Sequence, residues 1–317
     1  MLHLHPEVAD ALAGRRPVVA LESTLIAHGL PRPRNLELAR RLEAAVREEG
    51  AVPATIALLD GRVRVGLDAA DLERVAAGDL PKLGLRELPL AAAREGSGAT
   101  TVASTAYAAA AARIRVFATG GLGGVHRVLE DGATAPASPV RTAAAAWDVS
   151  ADLPVLARTP IVVVCSGVKS ILDVGATLEV LETLSIPVMG WRTDRFPAFY
   201  LRDSGYRLDW RADEPADVAR AFTALQAAGL ASALVLAQPV PAAFELDPAL
   251  HAAALEGALR EAMAQGIRGK AITPFLLARF SEHTGGASVE ANMALVEANA
   301  RLGARIAAAL AGGDASR

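Results

Sequence analysis

Residues 161–165 read Ile-Val-Val-Val-Cys, without a polar side chain. A strand that is apolar at every position is buried on both faces, the signature of a parallel sheet covered by helices rather than of an antiparallel sheet with one wet face. That single run restricts the chain to an α/β architecture. It also sets a chemical puzzle, because Lys169 follows shortly after it. Either the lysine stem lies along apolar surface while its head reaches water, or the amine is desolvated, has a lowered pKa and can form an imine with a carbonyl. Ligands of open α/β sheets gather at the carboxyl ends of strands, where Lys169 stands, but position alone leaves both readings open.

The rest of the chain repeats the alternation. Residues 16–24, Arg-Pro-Val-Val-Ala-Leu-Glu-Ser-Thr, predict a buried strand, and residues 35–50 an amphipathic helix with Asn35 as N-cap and Gly50 as stop. Residues 54–66 break the pattern, since two short apolar runs flank Asp60-Gly61, a strong hairpin signal. Further strands are expected over 114–118, 161–165, 186–191 and 232–241. Helices are expected over 168–173, 176–184 and 214–229, with an almost wholly helical tail from 251 to 310. The expected fold is an α/β/α layered mixed sheet with a helical C-terminal layer.

With 317 residues, no repeat and no long linker, a single domain over 1–317 is the simpler reading. A net charge of -3 and a pI near 6.1 give no basic excess, so nucleic acid and anionic membranes are not expected partners, and small molecules are. The mean hydropathy of +0.29 comes largely from alanine-rich helices, because no run is long enough to span a bilayer and no signal-peptide pattern opens the chain. The single cysteine, Cys165, excludes an intramolecular disulfide and fits a reducing cytoplasm; on its strand it reads as an inert core residue. Residues 127–147, rich in Ala, Pro and Thr, read as a surface insertion.

Several further residues are placed for chemistry. Glu22 ends an apolar strand ahead of Ser23 and Thr24, so it is either paired with a neighbouring strand or a carboxyl of raised pKa suited to acid–base work. Gly96–Thr105 opens a helix and offers the amides of Thr100–Val102 to an anion, and Ala118–His126 is a glycine loop that a ligand can approach closely. In Asp148–Leu153, Ser150 suits a helix cap with Asp152 in the first turn, while Asp148 suits a hard oxygen ligand for Mg²⁺ or Mn²⁺. His126, after the glycine loop, suits a site or a bond to a main-chain carbonyl.

Taken in order, the stretches ALESTLIAHGLPRP, GAVPATIALLDGRVRVGL, KLGLRELP, GATTVAST, VFATGGLGGVH, DVSADL, SGVKSILD, TPFLLARFSEHTGG and ANMALVEANA resemble the pseudouridine-5'-phosphate glycosidase, or indigoidine synthase A-like, family. The resemblance runs from about residue 18 to 303. It implies cleavage of the carbon–carbon glycosidic bond of pseudouridine 5'-phosphate to uracil and ribose 5-phosphate. It further implies that Lys169 forms an imine with sugar C1', that Glu22 is the acid/base, and that Lys82, Val102, Ser150, Ala151 and Asp152 contact substrate. Asp148 would hold one Mn²⁺ per subunit, His126 and Asn292 would line the site, and the protein would be a cytoplasmic homotrimer. The 127–147 insertion separates two motifs that lie close together in the family. Two alternatives stand beside this reading: an aldolase-type Schiff-base lyase on another sugar phosphate, against which the Asp60-Gly61 hairpin and the helical tail argue, and a non-catalytic sugar-phosphate-binding protein.

Overall fold

The structure is a computed structural model that describes residues 2–127, 148–267 and 272–314; residues 128–147, nearly all of the expected insertion, lie outside the described residues. The strands, in chain order, are β1 Leu2–Leu4, β2 Val18–Glu22, β3 Val52–Leu59, β4 Arg62–Val65, β5 Lys82–Leu83, β6 Gly98–Thr100, β7 Val116–Ala118, β8 Val125–His126, β9 Val162–Cys165, β10 Leu172–Asp173, β11 Val188–Trp191, β12 Arg211–Ala212 and β13 Leu234–Ala237. The helices are α1 Pro6–Ala13, α2 Thr24–His28, α3 Arg34–Glu48, α4 Ala69–Ala77, α5 Leu88–Ala92, α6 Val102–Ala111, α7 Asp152–Leu156, α8 Val174–Thr183, α9 Pro215–Ala227, α10 Pro248–Ala264, α11 Ile272–His283 and α12 Ala287–Asp314.

One 11-stranded sheet runs in the order β1-β4-β3-β2-β7-β9-β13-β11-β12, with β6 joining β5 to β3. It is parallel from β3 to β12; the antiparallel partners of β3 are β4 and β6. The sheet stays open, ending at β1 and β12, and in the Asp60-Gly61 hairpin both turn residues sit at positive φ, 51° and 74°, in the left-handed turn that matches strand twist. An open sheet of this order is not the closed eight-stranded βα barrel in which an aldolase-type lyase would be expected, so that alternative loses its fold.

Alternation along the strands divides the core into two layers. Val19, Leu21, Val116, Ala118, Val162 and Val164 face α3, α9 and α12, while Val18, Ala20, Phe117, Val163 and Cys165 face α1, α6, α7 and α8. The layered α/β/α architecture is as expected, and α12, the end of the helical tail, is itself a sheet-covering helix. Burial pushes the Cys165 thiol up to about 12, so it stays protonated and inert. No helix among the described residues is long and apolar enough to cross a membrane.

Two local expectations are corrected. Asn35 is not the N-cap of α3, where Pro33 stands. Its buried amide instead donates to the carbonyls of Ile26 and Ala76 at 3.0 and 2.9 Å, tying α2 and α4 to α3. Residues 168–173 are not a helix: Gly167 turns the chain at φ +81°, Val168 bridges Leu122, and Leu172 pairs with His126. The apolar spacing of Val168, Ile171 and Leu172 mimics a helix, but pairing with the glycine loop decides the conformation.

From β2 the chain crosses to β3 on one side through α3, and from β7 it crosses to β9 on the other through α7. Neighbouring strands whose connections part in opposite directions open a crevice at their carboxyl ends. Glu22 ends β2 there, and Thr119 and Gly120 follow β7.

Candidate active site

The Glu-Ser-Thr sequence folds as a clamp. Ser23 Oγ accepts from Thr100 N–H at 2.8 Å, and Thr24 donates its hydroxyl to the Thr100 carbonyl at 2.8 Å. These bonds hold β6 across the end of β2, and β6 carries β5 in register, with Lys82 opposite Ala99. Lys82 is thus delivered to Glu22 by an edge excursion of the sheet. On the other side, Ser166 N–H donates to Gly120 O at 2.8 Å, Leu122 N–H to Gly167 O at 2.9 Å and Lys169 N–H to Leu122 O at 3.1 Å. The two loops run as a continuation of the β7–β9 ladder, and this fixes the backbone of Lys169.

Glu22, Lys82, Lys169 and Asn292, which the sequence places far apart, line one pocket of about 50 Å³ with Thr24, His28, Gly120 and Phe199. Glu22 is 7% exposed, and Thr119 donates its hydroxyl to the carboxylate. Burial raises the Glu22 pKa above the ordinary carboxyl range; the Lys169 charge and the Thr119 bond pull it down, and Asp152 pushes it up. Burial, reinforced by Lys169, lowers the pKa of Lys82, and Glu22 opposes the shift. Lys169 is half-buried in the same pocket. A buried carboxyl of raised pKa beside two amines at the carboxyl end of a strand can support imine formation and move a proton at the captured carbon.

The Asp152 carboxylate lies behind this pocket rather than in its lining. Its oxygens accept from Ala103 N–H in the first turn of α6 and from Gly123 N–H, both at 2.9 Å. Gly123 must be glycine, because a Cβ would lie 2.6 Å from the Asp152 carboxylate and 2.2 Å from Ser150 Oγ. Ser150 is not the N-cap of α7, where Ala151 stands; one residue earlier, its hydroxyl accepts from Asp152 N–H at 3.2 Å. The anion expected at the start of α6 is partly supplied by the protein itself. Thr100 N–H is taken by Ser23, and Thr101 N–H by Ser104 Oγ at 2.9 Å. Val102 begins α6 and is buried. Asp152→Asn should set an amide N–H against one of those two backbone donors and cost about 1–3 kcal/mol, seen as a lower melting temperature. An unchanged melt would show that the tie carries no weight.

His126 and Asp148 stand apart from the pocket lining. His126 pairs with Leu172, and its N–H donates to Asp148 O at 2.9 Å, which places the exposed Asp148 on the strand pair that follows Lys169. Thr119 and His28 were not singled out by the sequence. His28 ends α2 and lines the pocket, where burial and the Lys82 charge hold its pKa low. The stretch AHG, between a strand end and a proline-rich turn, was the available signal. A larger cavity, about 150 Å³, lies at the foot of β2 and β7 and is lined by Arg15, Arg16, Arg113 and Arg115. It adjoins the carboxyl ends of α1 and α6, where cations complement the helix dipole.

Fold and site define a layered α/β enzyme whose pocket sets a buried carboxyl against two amines. Residues 7–309 match the sequence model of the family described as indigoidine synthase A like protein. A pseudouridine-5'-phosphate glycosidase of Salinispora tropica is 55% identical over 307 residues, 96% of this chain and 90% of that one. One from Symbiobacterium thermophilum is 51% identical over 314 residues, 99% of each chain. Among solved structures, the prealnumycin C-glycosynthase AlnA in complex with ribulose 5-phosphate superposes with a TM-score of 0.88 at 38% identity, over 100% of this chain and 99% of that one. An indigoidine synthase A-like protein of Thermotoga maritima gives 0.85 at 36% identity, over 98% and 97%. The chain belongs to the indigoidine synthase A-like family.

Proposed function

We propose that the protein cleaves the C-glycosidic bond of pseudouridine 5'-phosphate, reversibly, to uracil and ribose 5-phosphate. The observation that carries the reading is the pocket itself, where Glu22, Lys82 and Lys169 meet at the switch point of the sheet. The relatives' names point to the same reaction, and AlnA's ribulose 5-phosphate is an open-chain five-carbon sugar phosphate.

The chemistry requires an amine. A C-glycoside has no leaving oxygen for a pair of carboxylates to protonate, so an electron sink must be built at C1'. Lys169 Nζ bonds to C1' as the C1'–O4' bond breaks and O4' takes up a proton. The Glu22 carboxyl, whose pKa burial raises, delivers the proton to uracil C5. The nitrogen lone pair then forms the C1'=N bond while the C1'–C5 pair returns to the ring as its C5=C6 bond. Water hydrolyses the imine, releasing ribose 5-phosphate and the free amine. Lys82, cationic when a proton is available, suits the phosphate or a developing oxyanion. Val102 N–H, Ser150, Ala151 and Asp152 belong to the same reading as substrate contacts, as do His126 and Asn292; Asp152 already accepts from Ala103 and Gly123 N–H and would keep these ties in the complex. The pocket volume holds a water or two, so a nucleotide must displace lining side chains on entry.

Manganese is part of this reading. Among the described residues no group of three His, Cys, Asp or Glu side chains comes together. Asp148, exposed beside His126, fits a hard divalent ion that takes one carboxylate and fills its remaining positions with water and substrate oxygens. Such an ion would supply charge for the substrate's oxygens. Asp148→Ala is expected to abolish the response to added Mn²⁺ after chelator treatment while leaving the fold intact; a retained response places the ion elsewhere. A cytoplasmic homotrimer completes the proposal. Incubation with pseudouridine 5'-phosphate across a manganese titration should release uracil, and no uracil at any metal concentration would remove the function.

A further inference from the structure

Asn299 lies on α12, fully buried in the apolar layer that includes Leu295, Val296, Ala300 and Leu302. A carboxamide in such a place is costly unless its polar atoms are bonded. Its Nδ2 donates to the main-chain oxygen of Thr119 at 2.8 Å and to Ser166 Oγ at 3.1 Å, and the Ser166 hydroxyl faces Asn299 Oδ1 at 3.5 Å. The partners matter more than the bonds. Thr119 and Ser166 are the first residues beyond β7 and β9, where ladder bonds give way to loops. Thr119 donates its hydroxyl to Glu22, and Ser166 begins the turn that leads through Gly167 to Lys169.

We infer that Asn299 is a positioning residue: one buried amide, bridging the ends of two adjacent strands, sets the separation of the Glu22 carboxyl and Lys169. An apolar residue of similar volume would hold α12 on the sheet as well, so docking the helix does not account for an amide there. Without it, Thr119 and Ser166 keep the backbone bonds to Val164 and Gly120 that join the two strands, but lose the side-chain tie that holds the Thr119 carbonyl and the Ser166 hydroxyl to one point on α12. The Thr119 hydroxyl then loosens from Glu22, and the distance from the acid to the amine widens.

The inference rests on the proposed reaction for its kinetic consequence, but its structural core is measurable without substrate. A carbon-13 NMR titration of the Glu22 carboxyl, assigned by its loss in Glu22→Gln, should move to higher pH in Asn299→Leu, because the Thr119 bond lowers the Glu22 pKa and would be weakened. In the Thr119→Val background the same change should add no further shift. For uracil release, kcat should fall about tenfold or more with a smaller change in KM, as expected for misplaced groups rather than lost contacts. Ser166→Ala removes half of the bridge and leaves α12 untouched, so it should move the titration in the same direction by less, and it serves if Asn299→Leu does not fold. Folded variants with an unmoved Glu22 titration and unchanged kcat would overturn the inference. A wild type that releases no uracil would instead remove the proposed function, and the titration would still decide the role of Asn299.

Discussion

Lys169→Ala is expected to release no measurable uracil from pseudouridine 5'-phosphate, a loss on the order of 10⁴-fold or more, the scale of removing a covalent nucleophile. Phosphate-ligand affinity should largely survive, because Lys82 enters the pocket from a different strand pair, β5–β6, and does not depend on the Lys169 turn for its position. The electrostatics give the variant a signature of its own. Lys169 lowers the pKa of both Glu22 and Lys82, so its removal should raise both titrations. Single-turnover assays and an NMR titration would check the two effects. Turnover near the wild-type rate would transfer the imine role to another amine.

Glu22→Gln should lower kcat by about 10²-fold or more, the usual loss when a positioned acid/base is replaced by a group that cannot titrate. Its effect on stability should run the other way. Because burial raises the Glu22 pKa above its unfolded value, the folded state binds the extra proton, and stability falls as pH rises from the ordinary carboxyl range through the folded pKa. The glutamine variant lacks that loss, so its stability relative to wild type should grow with pH across that window and then level off. Denaturant melts of both proteins from acid to neutral pH would show it. A near-normal kcat would sink the proton-transfer role, and a variant less stable at neutral pH than at acid pH, relative to wild type, would contradict the account of the raised pKa.

The residues most legible in the sequence were those that contradict their local pattern. Lys169 and Glu22 each come at or just beyond the end of a wholly apolar strand run, and that anomaly alone marked them as costly to place. The Asp60-Gly61 turn was legible because its positive φ angles demand those residue types. The excursion that carries Lys82 was not, since the strands Lys82–Leu83 and Gly98–Thr100 are too short to show a period. Nor was the role of Asp152, whose partners Ala103 and Gly123 are distant in the chain and contribute only backbone amides. Thr119 and Asn299 fall between these cases. A carboxamide at an apolar position of α12, spaced with Leu295, Val296 and Leu302, was a readable signal of a buried polar tie, but its partners come only from the fold.

The central claim is that Lys169 captures the sugar carbon while Glu22 handles the proton, in a pocket both share with Lys82. Borohydride reduction in the presence of ribose 5-phosphate tests it most directly, since reduction turns a transient imine into a permanent secondary amine. Peptide mapping should find the added sugar-phosphate mass on the single peptide that carries Lys169 and nowhere in Lys169→Ala. Mass on the Lys82 peptide would exchange the roles of the two lysines, and no labelled peptide from an enzyme that still releases uracil would contradict the imine altogether.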